Sequence, residues 1–216
     1  MLDWQHIDTV LLDMDGTLLD LHYDNHFWLE HVPRRYAEKH RMAPEAARDH
    51  LLARYNRVAG TMQWYCVDYW SRELELDIAA LKREVAHLIA VHPDVVPFLK
   101  RVRSLRKRVL LVTNAHHASL ALKMEQTGLS PFFDRIVCAH EFGVPKEEAD
   151  FWPHLQAREP FAPERTLLID DSLPVLRSAR AYGIRHLLAV AQPDTRAPRK
   201  DVAEFPALAC FADITP

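Results

Sequence analysis

Five short runs of almost unbroken apolar sequence constrain this chain more than any other feature. They are Thr9-Val10-Leu11-Leu12, Arg108-Val109-Leu110-Leu111-Val112, Asp134-Arg135-Ile136-Val137-Cys138, Thr166-Leu167-Leu168-Ile169 and Arg185-His186-Leu187-Leu188-Ala189-Val190. Each is too short for a helix, and each is continuously apolar rather than alternating. A strand with one wet face alternates; a strand covered on both faces does not. The runs therefore read as buried parallel strands, which need helical crossovers packed on the sheet. Helical patterns stand where such crossovers belong, over residues 119–127 and 172–182. They stop at Gly128 and Gly183, the residue type that closes a helix in the left-handed conformation. Ser172 is placed to cap the second one.

Residues 21–94 contain no strand-like run. They read as helices over 25–40, 44–58, 61–74 and 77–91. The last of these carries Ile78, Leu81, Val85, Leu88 and Ile89 in one stripe, with Asp77 as its N-cap. A helix over 95–106 leads back to the second strand. The expected architecture is α/β: a Rossmann-like parallel sheet built from residues 1–20 and 95–216, interrupted after its first strand by an all-helical insert, residues 21–94. Two hundred and sixteen residues suit one domain carrying an insert. Residues 192–216 are Pro-rich and read as loop.

Composition removes other classes. Hydrophobic residues at 49% and charged residues at 26% are ordinary for a soluble globular protein. A net charge of −3 leaves no basic footprint for nucleic acid or an anionic membrane. No apolar run approaches the ~18–20 residues of a membrane span, and the first residues lack the basic flank and apolar run of a signal peptide. The three cysteines are widely spaced without a CxxC, as expected of reduced thiols in a cytoplasmic protein, with Cys138 inside a strand. The 13 histidines form no HExxH, and most are expected at or near the surface.

Chemistry gathers at the C-terminal tips of the strands, where open α/β sheets bind ligands. Asp13-Met14-Asp15-Gly16-Thr17-Leu18 follows the first strand, Thr113-Asn114 the second and Asp170-Asp171-Ser172 the fourth. Lys146 follows the third, after a turn at Gly143-Val144-Pro145. Four aspartates in a small volume repel: each like pair at ~4 Å costs about 4 kcal/mol at an effective dielectric of ~20. Such a cluster calls for a hard divalent cation, and Mg²⁺ is the usual one beside phosphate. Cation, lysine, hydroxyl and backbone amides together suit a phosphoryl group. Asp13 at the strand end can act as nucleophile, forming an aspartyl phosphate. Asp15, beyond the strand end, can protonate the leaving oxygen and then activate water.

Asp13-Met14-Asp15-Gly16-Thr17-Leu18-Leu19-Asp20 resembles the first motif of the haloacid dehalogenase-like (HAD) hydrolases. Thr113, Lys146 and Asp170-Asp171 fall in the order of that family's second, third and fourth motifs, and the resemblance spans the whole chain. It implies a HAD core with a helical cap between the first and second motifs. It implies that Asp13 is the nucleophile and Asp15 the acid/base, with Thr113, Asn114 and Lys146 on the phosphoryl group. It also implies Mg²⁺ held by Asp13, the backbone carbonyl of Asp15, and Asp170, with Asp171 as ligand or outer partner. The family often places a proline after the lysine, whereas here Pro145 precedes Lys146. The flanks of these motifs, together with Trp64-Tyr65-Cys66-Val67-Asp68-Tyr69-Trp70 and Thr113-Asn114-Ala115-His116, are similar to the nucleotidases of the family. That similarity implies a purine nucleoside 5′-monophosphate, GMP or IMP, as substrate.

Other readings fit less of the chain. Receiver domains use an acidic pair, Thr and Lys, but their acidic pair comes on the first strand and they lack the insert. Haloacid dehalogenases lack the second aspartate, so Asp15 favours phosphoryl transfer. Sugar phosphates or other small phosphomonoesters remain open as substrates, as does a mutase, and a catalytically silent binding protein is the alternative outside enzymes. Tyr23, Asn25, His26, Phe27, Trp28, Trp64, Tyr65, Tyr69 and Trp70 either stack on a base or pack a helical core. His116 and His117 either face the leaving group or begin a helix on the rim.

Overall fold

The strands are covered on both sides because successive side chains of each enter different cores. In the computed structural model, which describes residues 2–202 and 204–216, Val10 and Leu12 of the first strand face one apolar cluster and Leu11 the other. Continuous hydrophobicity is the signature of this arrangement. The sheet has six parallel strands in the order β3-β2-β1-β4-β5-β6. They are β1 (Thr9–Leu12), β2 (Arg108–Thr113), β3 (Arg135–Cys138), β4 (Thr166–Asp170), β5 (His186–Val190) and β6 (Ala207–Leu208). β1 lies between β2 and β4, with Thr9 opposite Arg108 on one side and Thr166 on the other.

Between β1 and β2 run α1 (His22–His26), α2 (Val32–His40), α3 (Pro44–Val58), α4 (Met62–Tyr65), α5 (Val67–Leu74) and α6 (Ile78–Glu84). These helices bury a cluster of their own, centred on Phe27, Leu51, Tyr55, Trp70 and Ile78. α7 (Val95–Ser104) and α8 (His117–Thr127) follow, then α9 (Phe151–Arg158) and α10 (Leu173–Tyr182). Val95, Phe98, Leu99, Val102 and Met124 of α7 and α8 share the cluster of Val10 and Leu12. Phe151, Trp152, Leu155, Val175 and Leu176 of α9 and α10 share that of Leu11. Helices thus cover both faces of the sheet. No helix among the described residues is long and apolar enough to cross a membrane.

Several elements differ from the sequence expectation for definable reasons. The helix expected from residue 25 starts at His22 and holds a π-helical segment, Phe27–His31, where Val32 N–H reaches back to Phe27 O. Pro33 is the cause: it has no N–H, and its ring would clash with the carbonyl four residues back in a regular helix. The helix expected over 61–74 breaks at Cys66, whose backbone is extended at φ −85° and ψ 110°. The one expected over 77–91 stops at Glu84 and gives way to a 3₁₀ turn, Ala86–Leu88. The chain must return there to the end of β1: Asp20 N–H donates to Ala90 O at 2.9 Å. Asp77 caps α6 as expected, accepting from Ala80 N–H at 2.9 Å. Ser172 occupies the N-cap of α10, but its side chain makes no cap bond. Gly128 and Gly183 end α8 and α10 in the left-handed conformation. The stretch read as loop after residue 191 contains β6 and a 3₁₀ turn, Phe211–Ile214. All three cysteines are free thiols, with Cys138 ending β3.

Candidate active site

The tips of β1, β2 and β4 converge on one lysine. Lys146, 2% exposed, places Nζ 2.5 Å from Asp13 Oδ1, 2.7 Å from Asp170 Oδ2 and 3.1 Å from Val112 O. Asn114 orients it: Asn114 Oδ1 accepts from Lys146 N–H at 2.9 Å, and Asn114 Nδ2 donates to Glu147 Oε2 at 2.8 Å. The Asn114 amide is therefore engaged at both ends in holding the segment that carries the lysine. Thr113 Oγ1 accepts from Ala115 N–H at 3.0 Å, which leaves its own hydroxyl proton for another acceptor. Asp170 Oδ1 accepts from Ser172 N–H at 2.9 Å, and Asp171 Oδ2 is paired with Lys200 at 2.8 Å.

A tight loop follows β1. Leu18 and Leu19 N–H both bond Met14 O, at 3.0 and 2.9 Å, and Gly16 N–H bonds Leu19 O at 2.7 Å. Gly16 has φ +81°, and a Cβ there would stand 2.8 Å from Asp171 Cγ and 2.9 Å from Pro193 Cβ. Only glycine allows this close approach between the loop and the tip of β4. The loop directs Asp15 to a second buried lysine that sequence reasoning does not single out. Lys123 of α8 places Nζ 2.6 Å from Asp15 Oδ1 and 2.5 Å from Asp24 Oδ2, and Lys82 reaches Asp24 Oδ1 at 3.1 Å. The signal was faint: a lysine within a helix ordinarily reads as solvated surface.

Electrostatics follow burial. Burial foremost, then the Asp170 charge, raises Asp13 to about 6 despite Lys146. Burial raises Asp15 to about 7, with the charges of Asp24 and Asp13 adding to it against Lys123. Asp170 and Asp171 are also raised, by burial first and by neighbouring carboxylates. Asp24 goes the other way: burial alone would raise it, but Lys123 and Lys82 bring it down to about 2. One oxygen each of Asp13, Asp170 and Asp171 lie within 4.8 Å of one another. Three carboxylate donors, those of Asp13 and Asp170 buried and that of Asp171 half-buried, that resist ionisation together are the donor set of a hard divalent cation.

Two cavities meet here. One, of about 170 Å³, is walled by Asp13, Asp15, Thr113, Asn114, Lys146, Asp170 and Asp171, so every residue expected at the site from sequence lines it. The other, of about 300 Å³, is lined by Trp28, Tyr55, Trp64, Asp24, Lys82 and His116 among others. Asp15, Leu21, Tyr65 and Ala115 belong to both. Tyr65 spans the junction, its hydroxyl donating to Glu147 Oε1. The remaining aromatics divide: Tyr23, Phe27 and Trp70 are buried in the helical cluster, with Tyr69 packed against it. His116 caps α8 through a 3.3 Å bond from Ala118 N–H, and His117 is its first residue.

Known proteins resemble this chain over nearly its whole length. A family model described as haloacid dehalogenase-like hydrolase matches residues 7–183. Over 213 residues the chain is 41% identical to the GMP/IMP nucleotidase YrfG of Escherichia coli (strain K12), covering 99% of this chain and 96% of that protein. Among solved structures, the HAD phosphatase from Thermococcus onnurineus matches with a TM-score of 0.80 at 21% identity, covering 96% of each chain. L-2-haloacid dehalogenase from Xanthobacter autotrophicus matches at 0.66 and 14% identity, covering 97% of each. These two structures share the fold.

Proposed function

The chain belongs to the haloacid dehalogenase-like hydrolases, and from that premise we propose that it is a Mg²⁺-dependent 5′-nucleotidase acting on GMP and IMP. The observation that carries this reading is the junction of the two cavities at Asp15. A phosphoryl group held among Asp13, Thr113 and Lys146 puts its leaving oxygen toward Asp15 and the rest of the substrate toward Trp28, Trp64 and Tyr55. Trp28 and Trp64 pack edge-on against the buried Tyr55, and a purine laid on one of these half-buried tryptophans gains roughly 1–3 kcal/mol from stacking. The 41% identity to a nucleotidase over nearly the full length supports the same substrate class. Residues 21–94 serve as a cap that selects the leaving group, and residues 1–20 and 95–216 as the catalytic core.

Asp13, Asp170 and Asp171, with the backbone carbonyl of Asp15, would hold Mg²⁺. When bound, the ion neutralises the carboxylates and the phosphoryl oxygens. An Asp13 carboxylate oxygen attacks phosphorus as the bond to the leaving 5′-oxygen breaks. Asp15 gives that oxygen its proton, releasing the nucleoside and leaving phosphate on Asp13. Asp15, now ionised, takes a proton from water; the water oxygen bonds phosphorus, and Asp13 and inorganic phosphate are freed. A carboxyl raised to about 7 is suited to both transfers near neutral pH. Lys146 and the Thr113 hydroxyl hold the phosphoryl oxygens throughout.

The test is phosphate release from IMP, GMP, AMP, pyrimidine nucleotides and sugar phosphates, with Mg²⁺ or with EDTA. Release should peak at IMP and GMP and vanish with EDTA. A peak at sugar phosphates would overturn the nucleotide reading while keeping the phosphatase. Asp13→Asn should remove turnover and leave the circular dichroism spectrum unchanged; retained turnover would overturn the covalent step.

A further inference from the structure

The break between α4 and α5 turns a thiol out of the helical block. Cys66 is the N-cap of α5, its Sγ accepting from Tyr69 N–H at 3.4 Å. Facing it are His116, at the start of α8, and His140, in the 3₁₀ turn Ala139–Glu141 after β3. Cys66 Sγ and one ring nitrogen from each histidine lie within 4.8 Å of one another. The three residues come from separate parts of the chain and from both sides of the contact between the helical block and the sheet layer.

His140 is the second observation. Its Nε2 is buried and has no hydrogen-bond partner, a condition that native interiors rarely leave unfilled. Burial first, then the rings of His116 and His117, pushes His140 down to about 4, while the carbonyls of Asn114 and Tyr65 act on the ring in the opposite sense. A neutral imidazole with one nitrogen bare and carbonyls beside the ring is the state in which histidine ligates metals. His116 is not locked: its Nδ1 bond from Ala118 N–H is 3.3 Å long, and its Nε2 stands 3.6 Å from Asp68 Oδ2.

We propose that Cys66, His116 and His140 form a binding site for a divalent cation of the Zn²⁺ class, clamping the helical block to the sheet layer beside the aromatic cavity. One sulfur and two imidazoles are a Zn²⁺ donor set, with a fourth position open to water. Mg²⁺ demands hard oxygen ligands and does not compete for it. Binding converts the Cys66 thiol to thiolate, its proton passing to solvent, while both imidazoles donate lone pairs; no oxidation state changes. His116 lines the aromatic cavity and Tyr65, next to Cys66, lines both cavities. A cation here therefore ties together two walls of the passage to Asp15. The inference rests on these three side chains and stands whichever phosphomonoester the protein hydrolyses.

The probe is Co²⁺, titrated into the reduced full chain with Mg²⁺ in excess. One equivalent should produce a thiolate-to-Co²⁺ charge-transfer band together with tetrahedral visible bands, and Zn²⁺ should displace both. Cys66→Ser should abolish the charge-transfer band, and Cys138→Ser and Asp170→Asn should keep it. His140→Gln should weaken Zn²⁺ binding at least about 10–100-fold, the loss that removing even an outer partner causes. It decides the matter if Cys66→Ser fails to fold. Absence of the band, its survival in Cys66→Ser, or undiminished Zn²⁺ affinity in His140→Gln would overturn the site. Zn²⁺ should also slow proteolysis between α4 and α6 in the parent chain but not in His140→Gln; equal rates would overturn the clamp. None of these readouts uses phosphate release, so their failure is separable from failure of the nucleotidase reading.

Discussion

Lys123, 1% exposed, keeps its charge only through its two partners, Asp15 and Asp24. Breaking a buried pair from one side strands the other charge and costs about 3–5 kcal/mol. Lys123→Met should lower stability by that order, read from the urea unfolding midpoint. Gly16→Ala tests the opposite kind of constraint. Its backbone is strained for any L side chain at φ +81°, and its Cβ meets Asp171 and Pro193. It should destabilise by more than about 1 kcal/mol and reduce turnover, because Asp171 must move. Asp13, Asp15, Thr113, Asp170 and Asp171 stand out in the sequence because each sits at or just beyond the end of an apolar run; Lys146, eight residues past Cys138, stands out only by its order among the motifs. Lys123, Asp24 and Lys82 do not. They acquire meaning only when α8 packs against α6 and Lys123 reaches Asp24 of α1, and no spacing records that meeting.

At the scale of elements, Asp20 joins the β1 loop to the segment after β5. It accepts from Thr195 N–H at 3.1 Å, from the Thr195 hydroxyl, and from His22 N–H at 2.9 Å. Burial alone would raise its carboxyl; these hydrogen bonds outweigh burial and hold it below the ordinary 3.8. The stability it contributes is therefore present above pH 3.8 and is lost as pH falls through the lower folded value. Asp20→Asn should cost about 1.5–3 kcal/mol at neutral pH, the worth of a hydrogen bond to a charged group. The deficit should shrink below pH 3.8, measured by urea unfolding at stepped pH. Strands and long helices could be read from hydrophobic period and glycine stops. α9 could not: it has eight residues with Pro153 inside. The two residues of β6 are too few to show any period. The break at Cys66 follows no local breaker such as Gly or Pro; Tyr65 bonded to Glu147 and Trp70 Nε1–H bonded to Trp64 O hold the two short helices apart.

For the whole molecule, the carboxylate cluster is a store of repulsion that the proposed Mg²⁺ would relieve. A ligand at about 100 times its Kd adds ~2.7 kcal/mol to the folded state. Near-saturating Mg²⁺ should therefore raise Tm by about 5–10 °C for a chain of this size, and Asp170→Asn should lose most of that shift in scanning calorimetry. The parallel sheet with a helical insertion after β1 was readable because strand-like runs vanish between residues 21 and 94. The order of strands was not, since five similar apolar runs carry no record of their neighbours. That order has a consequence for synthesis. β1 is made before both of its neighbours, β2 on one edge and β4 on the other. At 5–20 residues per second, on the order of 10 s or more passes before β4 exists to complete the pairing. The helices of the insert make local contacts that form quickly, so they can close their own core during the wait. A nascent chain halted just before Thr166 would carry a finished helical block on a sheet whose central strand still has one bare edge.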